Sequence, residues 1–376
     1  MKSKRDHLLW IDACYAIKNA RSSPVAPVQI IRIDSDLLPP DLTIRQVPAH
    51  TGPIKSEYGL LYTKRSFQNK CTDRMRLQPG TLRTYCAEAT ARARRLGVLH
   101  TIPTRQQLVE EEGISFLIRR LEGATADHSV LNQKEQAPGL PPVERNPFLP
   151  YEATLYVADI SDTHVCLLNK FNVVDDHLLI VTRRFEAQET LLTLDDFEAL
   201  WRCMAEYEGL GFYNGGKVAG ASQRHKHLQF VPLPLGPGGI PAPLETALAQ
   251  TVFTGAIGVS PLLPFVHAVA AVDPIWLTTP LAAASATLDL YEQLLAAIGL
   301  PIAPGQHEQP GPYNLLLTRR WLWLVPRSQE TVDGISINAL GFAGSLFVRD
   351  EEQWAQVNRL GPLELLRRVG VTAALG

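Results

Sequence analysis

After a Pro-Gly turn at Pro79 and Gly80, apolar positions recur at helical spacing through TLRTYCAEATARARRLG, which predicts an amphipathic helix over 81–97. The next apolar run, EEGISFLIRRL, alternates and predicts a strand. From Glu122 to Pro150 proline and polar residues break every period, so this stretch is expected to be an exposed loop able to close over a ligand. Two β-rich runs follow, TLYVADISDTHVCLLN and HLLIVTR. LTLDDFEALWRCMAEY then predicts a helix, with Thr193 as N-cap and Asp195 and Asp196 beside the free N–H groups of its first turn. HKHLQFVPLP predicts a strand, and PLPLGPGGIPAPL a connection. Helical stretches are expected over Pro241 to Gln250 and Pro280 to Ile298, a strand pair in YNLLLTRR and WLWLVPRS, and a C-terminal helix in EEQWAQVNRLGPLELLRRV. Helices and strands alternate only loosely and no GxGxxG is present, so the expected class is α+β and not a dinucleotide-binding sheet.

With 376 residues, 45% hydrophobic and 20% charged, the chain can bury a large core. The most apolar stretch, 262–277, is interrupted by Pro264, His267, Asp273 and Pro274, so no membrane span is expected. The opening MKSKRDHLLWIDACY is too polar for a secretory signal, which predicts a cytoplasmic protein. Cys14, Cys71, Cys86, Cys166 and Cys203 form no CxxC pair, so reduced cysteines are expected.

Charge divides the chain. Residues 1–74 hold 12 Lys+Arg against 7 Asp+Glu, and the remainder 24 against 31. Six of the ten lysines lie before residue 75, and the 20 later arginines are accompanied only by Lys134, Lys170, Lys217 and Lys226. We expect the working protein to begin near Met75. Residues 1–74 would then be an upstream-translated extension, and 75–376 the catalytic part, completed by a C-terminal portion from about residue 260. A basic partner-binding appendage is the alternative for 1–74, but no Lys/Arg cluster with interleaved aromatics supports it. Without a basic stripe, nucleic acid is not an expected partner of the catalytic part.

Chemistry concentrates in YNGGKVAGASQRHKHLQF, residues 213–230. Gly215, Gly216, Gly220, Ala221 and Ser222 let backbone N–H groups approach an anion, and Ser222 and Gln223 add side-chain donors. In a strand, His225, His227 and Gln229 face one way and Lys226, Leu228 and Phe230 the other. A neutral imidazole is a competent nucleophile toward phosphorus and leaves readily from the energy-rich adduct, so the pattern points to covalent transfer. Packing and metal binding are the other readings of the HxH pair, and zinc would need a further ligand from His164, His177 or His267.

GASQRHKHLQ resembles the signature of the diadenosine tetraphosphate phosphorylases, also called ATP adenylyltransferases, of the histidine-triad-like (HIT-like) superfamily. The resemblance extends to NKFNVVDDHLLIVTRRFEAQ, FYNGGKVAGASQRHKHLQFVPLP and YNLLLTRRWLWLVPRS, from about Leu77 to the end, while residues 1–74 match no part of it. It implies a mostly antiparallel sheet flanked by helices. It also implies that His227 is the nucleophile, with His225 and Gln229 completing the catalytic motif, and that Gln229 contacts phosphate. Asn214 and the Gly220, Ala221, Ser222 and Gln223 stretch would hold the polyphosphate, and Asn169 and Lys170 would form the family's Asn-Lys substrate pair. Asn314, Thr318 and Arg327 would contact nucleotide. Lysines retained in an arginine-using chain add Lys134 and Lys226 as phosphate partners, since an ammonium follows a phosphate as a flexible point charge.

The reaction so implied is reversible: His227 displaces ATP from diadenosine tetraphosphate, and phosphate then releases the adenylyl group as ADP. Hydrolases of the superfamily carry a third histidine where Gln229 stands. An amide cannot exchange a proton, so the intermediate should await phosphate. Adenylyl sulfate is an expected side substrate. No resident cofactor or protein-bound metal is implied, and a divalent cation such as Mg2+ travelling with the substrate phosphates is left open. Galactose-1-phosphate uridylyltransferases share the wider HxHxQ pattern, but their zinc-binding residues cannot be assembled here. A non-catalytic sensor of dinucleotides is the alternative from another class.

Overall fold

The computed structural model of the protein describes residues 76–122 and 146–372, all within a compact unit spanning 73–376. The proposed N-terminal extension, most of the predicted 122–150 loop and Lys134 lie outside the described residues.

Helix α1 (Leu82–Arg95) buries Leu82, Cys86, Ala89 and Ala93, the predicted helical stripe. Strands β1 (Thr104–Glu111) and β2 (Ile114–Leu121) make a hairpin, and β3 (Tyr156–Asp159), β4 (His164–Leu168) and β5 (Leu178–Thr182) follow. Helix α2 (Leu194–Glu206) starts as expected at Thr193 and carries a full capping box with Asp196. Next come β6 (Gly209–Gly215), β7 (His227–Pro232), α3 (Glu245–Leu248), β8 (Val252–Thr254), β9 (Ile257–Val259) and β10 (Ala268–Ala271). Helix α4 (Pro280–Ala297) leads to β11 (Tyr313–Leu317), β12 (Trp321–Pro326), β13 (Thr331–Val332), β14 (Ile335–Ser336) and β15 (Ser345–Val348). Two helices, α5 (Glu351–Leu360) and α6 (Pro362–Val369), close the order.

Ten strands form one sheet, in the order β3-β4-β5-β7-β6-β11-β12-β10-β9-β8, and every neighbouring pair is antiparallel. A smaller sheet, β1-β2-β15, pairs β15 parallel to β2. The class is α+β, with the mostly antiparallel sheet that the family resemblance implies.

Each face of the large sheet has its own core. On one, Leu178, Ile180, Leu228, Phe230, Tyr213 and Leu315 pack with residues of α1, α2 and α4. On the other, Phe212, Leu316, Trp323 and Val325 pack with residues of the small sheet, α3, α5 and α6. That second face also carries a separate apolar cluster of Phe148, Val165, Leu167 and Val181 beside Tyr151, Tyr156 and Leu179. Cover on both faces explains why HVCLL, LLIVT, YNLLL and WLWLVP are apolar runs without alternation.

Two predicted helices are altered by proline and glycine. The 241–250 helix shrinks to Glu245–Leu248, because Pro241 and Pro243 supply no N–H to a helix there. The C-terminal helix is broken by Gly361, whose φ of 86° ends α5 before Pro362 starts α6.

Candidate active site

Strand β7 lies inside the sheet, between β5 and β6, with His227 opposite Val181 and Gln229 opposite Leu179 and Phe212. These side chains share the face that bears the Phe148 cluster, about 7 Å apart at two residues of strand rise. His225 precedes the strand and is held by an isolated bridge to Ala187. Gln188 clamps the start of β7: its Oε1 accepts the His227 amide at 2.9 Å, and its Nε2 donates to the carbonyls of Asn214 (2.9 Å) and His227 (3.2 Å).

Backbone groups dictate the tautomers. The Nε2 of His225 lies 2.9 Å from the Thr182 carbonyl and 3.0 Å from that of Arg184, and since these only accept, Nε2 carries the proton. Its Nδ1 faces the Asn146 amide nitrogen at 3.0 Å. The Nδ1 of His227 lies 2.8 Å from the carbonyl oxygen of His225, so here Nδ1 carries the proton and Nε2 keeps its lone pair. That Nε2 has no hydrogen-bond partner among the described residues. Burial pushes the His227 imidazole down to about 4, against the upward pull of the His225 carbonyl, so at neutral pH the ring is an uncharged base. The Phe148 ring, 5.4 Å away, walls its side.

Gln229 accepts a 2.8 Å hydrogen bond on Oε1 from Nε2 of His177, whose Nδ1 faces the Asn169 amide nitrogen at 3.2 Å. Burial likewise lowers His177 to about 4. The Gln229 Nε2 group has no acceptor among the described residues and can donate at the site.

Between β6 and β7, the chain turns through a 3-10 turn at Lys217–Ala219, flanked by Gly216 (φ 86°) and Gly220 (φ 90°) in the left-handed region that other residues avoid. The amides of Gly216, Ala219 and Ala221 are used within the turn or on Asn214. Those of Ser222 and Gln223 have no acceptor among the described residues, leaving donors in the chain that runs into His225 and His227.

Several candidates serve the scaffold. Asn214, wholly buried, accepts on Oδ1 from Asn314 Nδ2 (2.8 Å) and the Ala339 amide (2.9 Å). Asn314 also donates to the Ala219 carbonyl at 2.8 Å, and Arg327 Nη1 donates to Asn314 Oδ1 at 2.6 Å. Arg327 spends its other N–H groups on the carbonyls of Val369, Gln329 and Glu330, so this trio braces the Gly216–Gly220 turn from below. Thr318 is at the opposite end of β11 from Asn314, accepting the amides of Arg320 and Trp321 in the β11–β12 turn. It stays away from the histidines because a strand separates Asn314 and Thr318 by about 13 Å.

Lys226 requires the clearest correction. Its side chain projects to the helical face and is fully buried, with Nζ 2.6 Å from Asp196 Oδ2, 2.8 Å from the Leu191 carbonyl and 3.3 Å from Glu186. Strand parity points it away from His227, so it cannot meet the same phosphate. Lys170 forms a half-exposed pair with Glu152 at 3.2 Å.

The three other histidines considered as zinc ligands stand apart. His164 bonds Asp196 on the helical face, His177 bonds Gln229, and His267 accepts the Ser260 amide. Among the described residues, no group of three or more His, Cys, Asp and Glu could hold a metal ion.

Asn146, Thr182 and Gln188 were missed by the reading of the sequence. One signal was available: Asn146-Pro147-Phe148 and Asn169-Lys170-Phe171 share the spacing Asn-x-Phe, and each asparagine presents its amide to a histidine Nδ1.

Residues 72–250 match the profile of the Ap4A phosphorylase N-terminal domain, and 261–372 that of the ATP adenylyltransferase C-terminal domain. The chain belongs to the Ap4A phosphorylase (ATP adenylyltransferase) family. Diadenosine 5',5'''-P1,P4-tetraphosphate phosphorylase 2 of Saccharomyces cerevisiae is 31% identical over 216 residues, which span half of this chain but only 62% of the yeast protein. The crystal structure of yeast Ap4A phosphorylase Apa2 with AMP superimposes with a TM-score of 0.63 at 21% identity, covering 80% of this chain and 99% of that one. The same yeast protein in complex with Ap4A gives 0.62 at 20% identity, covering 79% and 100%. At these identities the likeness is one of fold.

Proposed function

We propose that this protein is a nucleotidyltransferase that cleaves diadenosine tetraphosphate with phosphate, yielding ATP and ADP through an adenylyl group carried on His227. The observation that carries the reading is the tautomer of His227: Nδ1–H is committed to the His225 carbonyl, which leaves the Nε2 lone pair free for attack. The two family profiles matched by the chain and the Ap4A bound to the yeast relative support the choice of substrate.

Nε2 attacks the α-phosphorus in line, the bond to the bridging oxygen breaks, and ATP departs. As the ring becomes cationic, its Nδ1–H strengthens its bond to the His225 carbonyl. Gln229, through its free amide hydrogens, and the Ser222 and Gln223 donors meet charge on the phosphate oxygens. Phosphate then attacks the same phosphorus, the P–N bond breaks, ADP forms and His227 is restored. Gln229 can orient oxygen but cannot deprotonate water, which favours phosphate over hydrolysis. Adenylyl sulfate would be taken as a minor substrate on the same grounds.

Residues 75–376 form the catalytic part in this reading, with Lys170 and, from outside the described residues, Lys134 as further phosphate partners. Among the described residues no helix is long and apolar enough to cross a membrane. The buried thiols of Cys86, Cys166 and Cys203 suit a reducing cytoplasm.

The test is to incubate the purified chain with diadenosine tetraphosphate, with and without phosphate, and to separate the products by chromatography. Phosphate-dependent ATP and ADP, lost in His227→Ala, is the expected result. AMP without a need for phosphate would replace the reading with hydrolysis, and tight binding without turnover would make the protein a sensor.

A further inference from the structure

A backbone N–H can only donate, and this makes the Phe171 amide the fixed end of a chain of hydrogen bonds. It donates to Asn169 Oδ1 at 3.2 Å, which turns the Asn169 NH2 toward His177. His177 Nδ1, receiving that NH2, must present a lone pair, so the His177 proton is on Nε2. Nε2–H meets Gln229 at 2.8 Å, and the atom that accepts it must be Oε1. Gln229 is thereby left with both amide hydrogens at the site and no acceptor for them among the described residues.

We propose that Asn169 and His177 are positioning residues that hold the Gln229 amide with its NH2 toward the substrate phosphates, so that the direction of a buried hydrogen-bond relay sets the donor character of the site. The inference rests on the phosphorolysis reading above for its kinetic consequence, and on hydrogen-bond direction alone for its structural one. Asn169, implied by the family resemblance to touch substrate, acts here through two other side chains.

The same device occurs a second time. The Phe148 amide donates to Asn146 Oδ1 at 2.9 Å, turning the Asn146 NH2 to Nδ1 of His225, whose proton is again on Nε2. The two Asn-x-Phe segments thus fix the imidazoles on either side of the nucleophile in one tautomer, while His227 is held in the other. His177 accepts on Nδ1 and donates from Nε2, and both of these partners are uncharged side-chain amides.

Asn169→Asp tests the relay with an isosteric change. Its carboxylate keeps the Phe171 amide bond but offers oxygen where the NH2 stood. His177 must then move its proton to Nδ1, and Gln229 must flip, turning Oε1 to the phosphates. Nitrogen-15 NMR of histidine-labelled full-length protein reads the tautomer directly, with the His177 signals assigned by their loss in His177→Asn. We expect a protonated Nε2 and a bare Nδ1 in the wild type, and the reverse in Asn169→Asp. We also expect kcat for phosphorolysis to fall by roughly 100-fold, the scale of losing an oriented donor to a developing oxyanion. KM and the unfolding midpoint should be little changed. A wild-type His177 protonated on Nδ1 would overturn the proposal whether or not the variant folds. So would a reversed tautomer with kcat unchanged, or a rise in KM alone, which would return Asn169 to direct substrate contact. If the wild type does not turn over diadenosine tetraphosphate at all, the functional reading fails, and the wild-type tautomer still decides the relay.

Discussion

Lys226 and His227 are adjacent in the chain and occupy opposite faces of the same sheet, so they show what burial does to two kinds of polar group. On the helical face, Lys226 and Asp196 are charged and sealed, at 0% and 1% side-chain exposure. Burial alone would raise the Asp196 carboxyl. The His164 hydrogen bond and the Lys226 charge outweigh it and hold the group near 2. On the other face the imidazoles are neutral, and His227 and Gln229 each keep a group without a partner among the described residues. A polar cluster whose valences are all satisfied is architecture. One that keeps a lone pair and a donor in reserve is equipped for chemistry.

The strongest way to break this contrast is through His227, the proposed nucleophile. His227→Ala should lower phosphorolysis by roughly 10⁴-fold or more while the denaturation midpoint stays near that of the wild type. Activity surviving in that variant would place the covalent step elsewhere. Lys226→Met should do the reverse, costing about 3–5 kcal/mol of stability in a urea titration because Asp196 is left as an unpaired buried charge. Pairing it with Asp196→Asn should recover part of the loss, and the folded fraction should turn over at a rate near wild type. A collapse of kcat with stability intact would bring Lys226 back to the phosphates.

Acid sharpens the same comparison. The folded His227 and His177 are held near 4 by burial, below the usual histidine value. As pH falls below about 6.5 the unfolded chain takes up protons that the folded chain refuses, so stability declines by about 1.4 kcal/mol per pH unit for each ring until pH nears 4. The Asp196 contribution persists through that window and is lost only as pH falls toward 2. Phosphorolysis rates should accordingly show no histidine inflection near 6.5. A limb at that pH, assigned to His227 by NMR titration, would mean that the ring is more open to water than the structure has it. Least affected should be Lys170→Ala. It removes a half-exposed ion pair worth about 1 kcal/mol or less, and a change in KM beyond a few-fold would make Lys170 a substrate contact.

What could be read from the sequence was whatever depends on local order. The Thr193 cap, the α1 stripe and the alternation through 225–229 all follow from residues within a turn or two of each other. Strand β6 escaped because it is spelled with glycines. A side chain at Gly209 would strike Phe230 and one at Gly211 would strike Leu200, so the bulk that usually marks a strand comes from its neighbours. Strand β1 escaped because its outer face is polar and exposed. Asn146, Thr182 and Gln188 work through contacts with residues 79, 43 and 39 positions away, and no spacing rule reaches that far. Asn314 and Arg327 were singled out through the family resemblance, but only the fold reveals that they support the glycine turn.

The order of strands in the large sheet has a consequence for how such a chain is inherited. The family is described by two segments, 72–250 and 261–372, yet β6 of the first pairs along its length with β11 of the second, and Asn214 and Asn314 bond across that seam. The boundary between the segments therefore marks no joint in the folded molecule. Neither half owns the ground beneath His227, and a lineage that lost or exchanged one of them would have to rebuild the other.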